Sequence, residues 1–158
     1  MEYREALLKE IHEVALLHNQ LTYAIQRETK DIYWDFKTLS VEDTYQYLLN
    51  FKNHEQCKIY VAYDGQTIVG FIMGEIVQCH LPVSGTKYVG YISGAYVVNE
   101  YRRQGIMRQL ENCVISFFKE KGLNYCELNF LTRNEVAKET WEAMGYQTFR
   151  QQARKSIY

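Results

Sequence analysis

The sequence is short of several features that would assign it to a common functional class. The net charge of its 158 residues is −1, which argues against a general nucleic-acid binder, because such proteins present a strongly basic face. No apolar run approaches the ~18 residues of a membrane span, and acidic residues interrupt the apolar N-terminus, so neither a membrane segment nor a signal peptide is expected. We therefore expect a cytoplasmic protein.

The positions of cysteine, glycine and proline exclude further kinds of site and domain organisation. The four cysteines lack the CxxC or CxxH spacing of zinc and redox sites, so no metal is implied and reduced thiols are expected. Residues 1–64 contain neither glycine nor proline, and no linker or internal repeat is visible in the chain. The phosphate-binding patterns GxxxxGK and GxGxxG are both missing. The length suits one domain, residues 1–158.

Hydrophobic periodicity predicts an order of two helices, three strands, a helix, a strand, a helix and a final strand. Apolar residues recur every three or four positions from Leu7 to Ile25, and Ser40 is a candidate N-cap for a second helix. Asp64-Gly65 separates two β-rich segments, the pattern of a hairpin. A third strand follows at 87–98, a helix that ends at Gly122, a strand at 124–131 and a helix at 134–144. Residues 146–158 predict a last strand or a bent pair of strands.

The stretch NEYRRQGIMRQLENCV, residues 99–114, places three arginines and a glycine where a strand gives way to a helix. The first N–H groups of a helix have no intrahelical partner, and that end of the helix dipole is partly positive. A phosphate there would accept several backbone hydrogen bonds, and Gly105 would leave room for its approach. The stretch is thus interpreted either as a pyrophosphate cradle or as a solvated, charged first turn.

Two motifs carry a resemblance to a known family. Residues 102–107, RRQGIM, follow a strand and open a helix in the manner of the acetyl-CoA signature of the GNAT N-acetyltransferases. Downstream, NEVAKETWEAMGY resembles the second motif of that superfamily, with Asn134, Gly145 and Tyr146 in register. The likeness covers about two thirds of the chain. It implies an α+β fold of GNAT type, with a twisted mixed sheet of about six strands and about four flanking helices.

The resemblance also implies a site for acetyl-CoA as co-substrate. The pyrophosphate would bind at the helix start, the pantetheine arm would pair with the end of the preceding strand, and a backbone N–H near Val97 would polarise the thioester carbonyl. The residues implied in cofactor binding are Ala95, Tyr96, Val97, Val98, Arg102, Arg103, Gln104, Gly105, Ile106, Met107, Arg108, Asn134 and Trp141.

The chain departs from the family pattern in its acid–base residues. Trp141 stands where members commonly carry a tyrosine that protonates the leaving thiolate, and an indole cannot deliver its proton at useful pH. The positions of the family's general base hold Tyr91 and Ser93, which are our candidate catalytic residues, although neither is a good base when unperturbed. A water chain ordered by Tyr91, Ser93 or Glu75 is the favoured proton route.

A second departure concerns the first strand of the family. Residues 1–4 are too short for a convincing strand, so this strand is expected to be absent or very short. The sheet would then begin at KIYVAY, residues 58–63, with its edge covered by the N-terminal helix or by a second subunit in a homodimer.

The resulting functional expectation is an N-acetyltransferase in which a primary amine of a small molecule or peptide attacks acetyl-CoA directly. The amine would bind among Tyr33, Trp34, Glu75 and Asn129. Acidic residues between Asp31 and Asp43 suit a cationic amine, although a solvated acidic surface explains them equally well. The alternative is a domain that binds acetyl-CoA or CoA as a sensor or assembly component, which the missing proton donor favours.

Overall fold

The computed structural model describes all residues, 1–158, and contains five strands and four α-helices. The strands are β1 (Glu2–Glu5), β2 (Cys57–Tyr63), β3 (Ile68–Gln78), β4 (Tyr88–Val97) and β5 (Cys126–Leu128). The helices are α1 (Ile11–Thr29), α2 (Val41–Asn53), α3 (Ile106–Glu120) and α4 (Glu135–Ala143). No helix is long and apolar enough to cross a membrane.

The strands form one sheet in the order β1-β2-β3-β4-β5, antiparallel except for the parallel pair β4–β5. The mixed sheet, the four helices and the hairpin at Asp64-Gly65 were predicted and are confirmed. The first strand was expected to be absent or very short, and it is present with four residues, Glu2–Glu5. The predicted start of the sheet at residue 58 is wrong, because this strand pairs with Tyr60–Tyr63 along the outer edge of β2. Backbone pairing and the ion pairs of Glu5 with Lys52 and Lys58, both at 2.9 Å, hold even this four-residue strand in place.

Helices cover both faces of the sheet. The first hydrophobic cluster packs α1 and α2 against one face and includes Ile11, Leu48 and Phe71. The second packs α3 against the other face and includes Leu110 and Phe118. Glycines in the sheet make room for α3, since a Cβ on Gly90 would lie 2.3 Å from the Phe118 ring. We will call these the α1 face and the α3 face of the sheet.

Two predicted elements near the C-terminus differ from the structure. The strand predicted at 124–131 is reduced to Cys126–Leu128, and the strand or strand pair predicted at 146–158 does not form. Residues 147–158 are all exposed and take part in no backbone–backbone hydrogen bond, so the sheet has five strands rather than six. The backbone of this segment has no neighbouring strand to pair with.

Candidate functional site

The start of α3 has the open backbone that the sequence predicted. Gly105 precedes the helix with φ +78°, a left-handed conformation that favours glycine, and Arg103 also has positive φ, at 61°. A Cβ on Gly105 would have nothing within 4 Å. The backbone N–H groups of residues 103–108 make no hydrogen bond within the protein. Six consecutive amides at a partly positive helix end are thus free for an anion.

The three arginines of this segment have different environments. Arg102 donates through Nε to the Val97 carbonyl at 2.9 Å, and its guanidinium lies 5.3 Å from the centre of the Tyr96 ring. Arg108 donates to the Ala143 carbonyl at 3.1 Å and so ties α3 to the end of α4. Arg103 has neither a hydrogen bond nor an ion pair and is exposed. Two of the three arginines are therefore already engaged by backbone carbonyls.

The edge of β4 that faces β5 is open where the resemblance implies a pantetheine arm. Pairing between β4 and β5 ends at Ile92 and Leu128, whereas β4 continues to Val97. The Val98 N–H donates to the Val69 carbonyl on the β3 side at 3.0 Å. Because ladder bonds alternate in an antiparallel pair, the N–H groups of Ala95 and Val97 point to the opposite, unpaired edge. A ligand in the gap can therefore pair with this edge as a further strand.

A β-bulge interrupts β4 beside this gap. Met73 pairs with Gly94 and Gly74 pairs with Ile92, so Ser93 is the extra residue. The bulge reverses the alternation of side chains along β4, which lets Ile92, Ala95 and Val97 all pack in the α3 cluster. The Ser93 Oγ is buried and has no hydrogen-bond partner.

Upstream of the bulge, three residues form a row across the α1 face. Tyr91 pairs with Glu75 on β3 and with Glu127 on β5. Neither carboxylate has an ion-pair partner, and all three side chains are half-buried. Burial and the charges of Glu75 and Glu127 raise the pKa of Tyr91, while Arg150 opposes the shift. The Tyr91 hydroxyl is thus protonated at neutral pH, and its phenolate form is even less available as a base than that of a free tyrosine.

The aromatic segment between α1 and α2 is held in place by helix α1. Gln26 donates from Nε2 to the carbonyls of Trp34 and Phe36, at 2.9 and 2.8 Å, and the Tyr23 hydroxyl accepts the Leu39 N–H at 2.9 Å. The Trp34 indole Nε1 is buried without a hydrogen-bond partner. Trp34 Nε1 and Ser93 Oγ are the two unsatisfied buried side-chain atoms of the protein, and both belong to residues that the sequence singled out.

The second motif folds as helix α4, and its residues serve mainly structure. The Asn134 side chain caps the helix by accepting the Ala137 N–H at 3.1 Å. Trp141 is 8% exposed and packs in the α3 cluster, with the Tyr146 ring edge-on at 5.4 Å. The Tyr146 hydroxyl contacts Cys126 Sγ at 3.4 Å. Trp141 therefore lies on the face opposite Tyr91, since it belongs to the same cluster as Ile92 and side chains alternate between Tyr91 and Ile92.

The structure groups the predicted residues around the end of β4 without bringing all of them together. Residues 95–98 and 102–108 form one continuous edge and helix start, whereas Tyr91 and Glu75 lie further down the strands. Tyr33 and Asn129 are exposed, on the loops after α1 and β5. Beside this region, a cleft of about 510 Å³ lies between α1 and Tyr96 and is lined in part by Arg27 and Lys37.

Sequence reasoning missed Glu127 and the arginines of the C-terminal tail. Glu127 enters the site only through the register that pairs it with Tyr91. Arg154 forms an ion pair with Asp31, 123 residues away in the chain. No local pattern in the sequence indicates either contact, because both depend on which distant segments the fold brings together.

Comparison with known proteins agrees with this geometry. The family model described as the acetyltransferase (GNAT) family matches residues 24–146. N-alpha-acetyltransferase 30 of Schizosaccharomyces pombe is 31% identical over 88 residues. That match spans 55% of the chain and 55% of the yeast protein, so it covers about half of this relative's length.

Solved structures with the same fold cover nearly the whole chain. A tetramutant of the BH1408 protein from Bacillus halodurans is 26% identical, with a TM-score of 0.86 over 99% of this chain and 100% of that one. The aminoglycoside N-acetyltransferase AAC(6')-Iy, in complex with a bisubstrate analogue that joins CoA to acetylneamine, is 14% identical, with a TM-score of 0.75 over 99% and 97%. The chain belongs to the acetyltransferase (GNAT) family, as its two motifs predicted.

Proposed function

We propose that this protein transfers an acetyl group from acetyl-CoA to a primary amine by direct attack of the amine on the thioester. The observation that carries the proposal is the continuity of two open backbone surfaces. Six free amides at the start of α3 lie a few residues beyond the unpaired edge of β4. Together they offer hydrogen bonds to a pyrophosphate and to an extended amide-bearing arm, which are the two parts of CoA that any acyl-CoA enzyme must hold.

The cofactor would follow this surface from residue 108 back to residue 95. The amides of residues 103–108 and the unpartnered Arg103 would bind the pyrophosphate. The pantetheine arm would pair with Ala95 and Val97, and the Val97 N–H would polarise the thioester carbonyl. Arg102 now holds the Val97 carbonyl and would exchange that contact for the ligand or keep it beside the arm. Tyr96, Val98, Asn134 and Trp141 would form the walls of the same groove.

The acceptor amine would enter the gap between β4 and β5 from the α1 face. Tyr33, Trp34, Glu75 and Asn129 would contact it, and the relatives that act on amines support this acceptor class. The attacking nitrogen would lose its proton to water ordered by Tyr91, Ser93 and Glu75, because the Tyr91 hydroxyl is itself protonated and cannot take it. Much of the rate would come from holding the amine and the thioester together. The leaving thiolate would take its proton from water or from the ammonium product.

A second function from another class has one observation in its favour. Trp141 occupies the position of the usual proton donor and is buried in the α3 cluster, so no side-chain acid is identified for the thiolate. A protein of this kind would bind acetyl-CoA or CoA without turnover, as a sensor or assembly component. The cofactor surface would be the same in both cases.

One experiment separates the two functions. The purified protein is incubated with acetyl-CoA and a panel of primary amines that includes polyamines, aminoglycosides, amino acids and short peptides, and the release of free thiol is followed. Acetyl transfer predicts amine-dependent release and a product heavier by one acetyl group. Tight CoA binding in a calorimeter without release for any amine would overturn the transferase proposal in favour of the binding domain.

A further inference from the structure

The C-terminal tail, residues 147–158, is attached to the rest of the protein by side chains alone. Its backbone makes no backbone–backbone hydrogen bond, and its residues are all exposed. The main attachment is Arg154, whose guanidinium donates to both carboxylate oxygens of Asp31, at 3.0 and 2.5 Å. The same guanidinium lies 4.3 Å from the centre of the Tyr33 ring. One arginine is thus held by a carboxylate and an aromatic face together.

The tail crosses the side of the sheet from which the acceptor would enter. Phe149 packs on His80 of the β3–β4 loop, with ring centres 5.8 Å apart. Arg150 is close enough to Tyr91 for its charge to offset part of the rise in the pKa of that residue. Arg154 then reaches Asp31 on the α1–α2 loop, where Arg133 of the β5–α4 loop also lies nearby. Residues 149–154 therefore run between two loops past the Glu75–Tyr91–Glu127 row.

The Asp31–Tyr33 pair does not depend on the tail for its shape. The Asp31 carboxylate accepts the Tyr33 N–H at 3.0 Å, which fixes the carboxylate relative to the ring. Gln26 holds the following residue, Trp34, through its carbonyl. The pocket for a cation is therefore built by α1 and its loop, and Arg154 is its present occupant.

We propose that Asp31 and Tyr33 form a cation-binding subsite for the acceptor, which Arg154 of the chain's own tail occupies until a cationic acceptor displaces it. The inference rests on the proposed acetyl transfer for its biological meaning, but the subsite itself does not require turnover. A fixed carboxylate beside an aromatic face suits an ammonium or guanidinium group. The acceptor class is then an amine with at least two positive charges, one at Asp31 and one nitrogen that reacts at the thioester.

Kinetics with spermidine as acceptor distinguish this subsite from a structural tie. Arg154→Gln should lower KM for spermidine by about threefold with little change in kcat, because the competitor has been removed and exposed charge pairs are weak. Asp31→Asn should raise KM by a similar factor. A tie that merely fixes the tail predicts the same direction of change for both variants, since both break the same ion pair. Changes in the same direction would overturn the proposal.

A binding measurement keeps the proposal testable if no amine is acetylated. Calorimetry should show spermidine binding to Arg154→Gln about threefold more tightly than to the wild type. The double variant Asp31→Asn, Arg154→Gln should lose this gain, and Arg154→Lys should resemble the wild type. Sodium chloride at matched ionic strength controls for screening of exposed charges. If Arg154→Gln and the double variant bind spermidine with equal affinity, the subsite is refuted. If Arg154→Gln binds it more tightly than the wild type and the double variant does not, but no amine is acetylated, only the proposed activity is refuted.

Discussion

The Arg102 guanidinium donates to the carbonyl of Val97 at 2.9 Å and so ties the cradle before α3 to the last residue of β4. The contact joins the edge of β4, which would hold the pantetheine arm of the cofactor, to the start of α3, which would hold the pyrophosphate. Its cost is that Arg102 is less free to bind phosphate. Arg108 is engaged in the same way by the Ala143 carbonyl, which leaves Arg103 as the arginine without a partner.

Arg103 is therefore predicted to contribute most of the side-chain affinity for the cofactor. Arg103→Gln should raise the Kd for acetyl-CoA about fivefold, as expected for the loss of ~1 kcal/mol from an exposed charge pair, and should reduce the dependence of Kd on salt. Arg133→Gln, which removes an exposed arginine from the β5–α4 loop, is the matched control and should change Kd little. Equal effects of the two variants would show only a loss of general positive charge.

Gly105 tests the backbone part of the cradle. Gly105→Val should weaken acetyl-CoA binding more than tenfold, because the new side chain fills the open space above the free amides and strains a φ of +78°. Gly122→Val is the control, since Gly122 has a φ of +74° and open space at the other end of α3. Both variants should lower Tm, but only the first should change affinity. Normal cofactor binding by Gly105→Val would show that the pyrophosphate binds elsewhere.

The sequence predicted the parts of the fold that depend on local chemistry. Ser40 and Asn134 cap the helices that they were expected to cap or begin, and the hairpin turns at Asp64 and Gly65. The missing last strand has a different origin, because residues 146–158 could form a strand only beside a neighbouring strand, and the segment's own sequence does not show that none is there. Likewise, β1 was underestimated since its four residues are stabilised by distant lysines.

The site was predicted unevenly for the same reason. The helix start and the strand end before it are contiguous in sequence, so two motifs were enough to find the open amides. The bulge at Ser93, the row through Glu127 and the Asp31–Arg154 pair are set by register and tertiary contacts. Residue spacing carries no information about such contacts.

Substitutions of Trp141 test whether its side chain serves packing or proton transfer. Trp141→Phe should lower stability by less than the ~3–5 kcal/mol typical of truncating a buried tryptophan to alanine, and should leave most of kcat because no acid is lost. Trp141→Tyr introduces a phenol at a buried position and should raise kcat only if the leaving sulfur comes within hydrogen-bond reach. Thermal unfolding and thiol-release rates measured on the same samples distinguish the two effects. A large fall in kcat for Trp141→Phe without loss of Tm would assign the indole a direct role.

The Asp64–Tyr101 hydrogen bond links the β2–β3 hairpin to the turn before the cradle. The Tyr101 hydroxyl, donating at 2.5 Å, and the N–H groups of Thr67 and Gln66 lower the pKa of Asp64 from 3.8 to about 2. A lowered carboxylate pKa contributes stability above the unfolded value, and this stability is lost as the pH falls from about 4 to 2.

Tyr101→Phe should therefore make the stability of the protein fall less steeply as the pH is lowered. Its Tm should lie below that of the wild type at pH 6, and the difference should narrow as the pH falls towards 2. Glu5, Glu10 and Asp31, whose pKa values are also lowered, give both proteins the same background slope. Asp64→Asn should show the same convergence. A constant difference in Tm across this pH range would mean that the hydrogen bond does not stabilise the charged Asp64 carboxylate more than the protonated one.

The dependence of rate on pH decides whether a side chain of this site acts as the base. The amine must be neutral to attack, and alkylamines titrate near ~10, as lysine does. Tyr91 is the nearest candidate on the strand, yet burial and the charges of Glu75 and Glu127 raise its pKa, so it stays protonated wherever the enzyme would work. The rate should then climb through pH 8 to 9 with no plateau near neutrality, and Tyr91→Phe should lower it modestly without changing the profile. Glu75→Gln serves as the second variant, because that carboxylate is the neighbour best placed to order water beside Tyr91. A plateau near pH 7 that disappears in either variant would identify a protein base and overturn the water route.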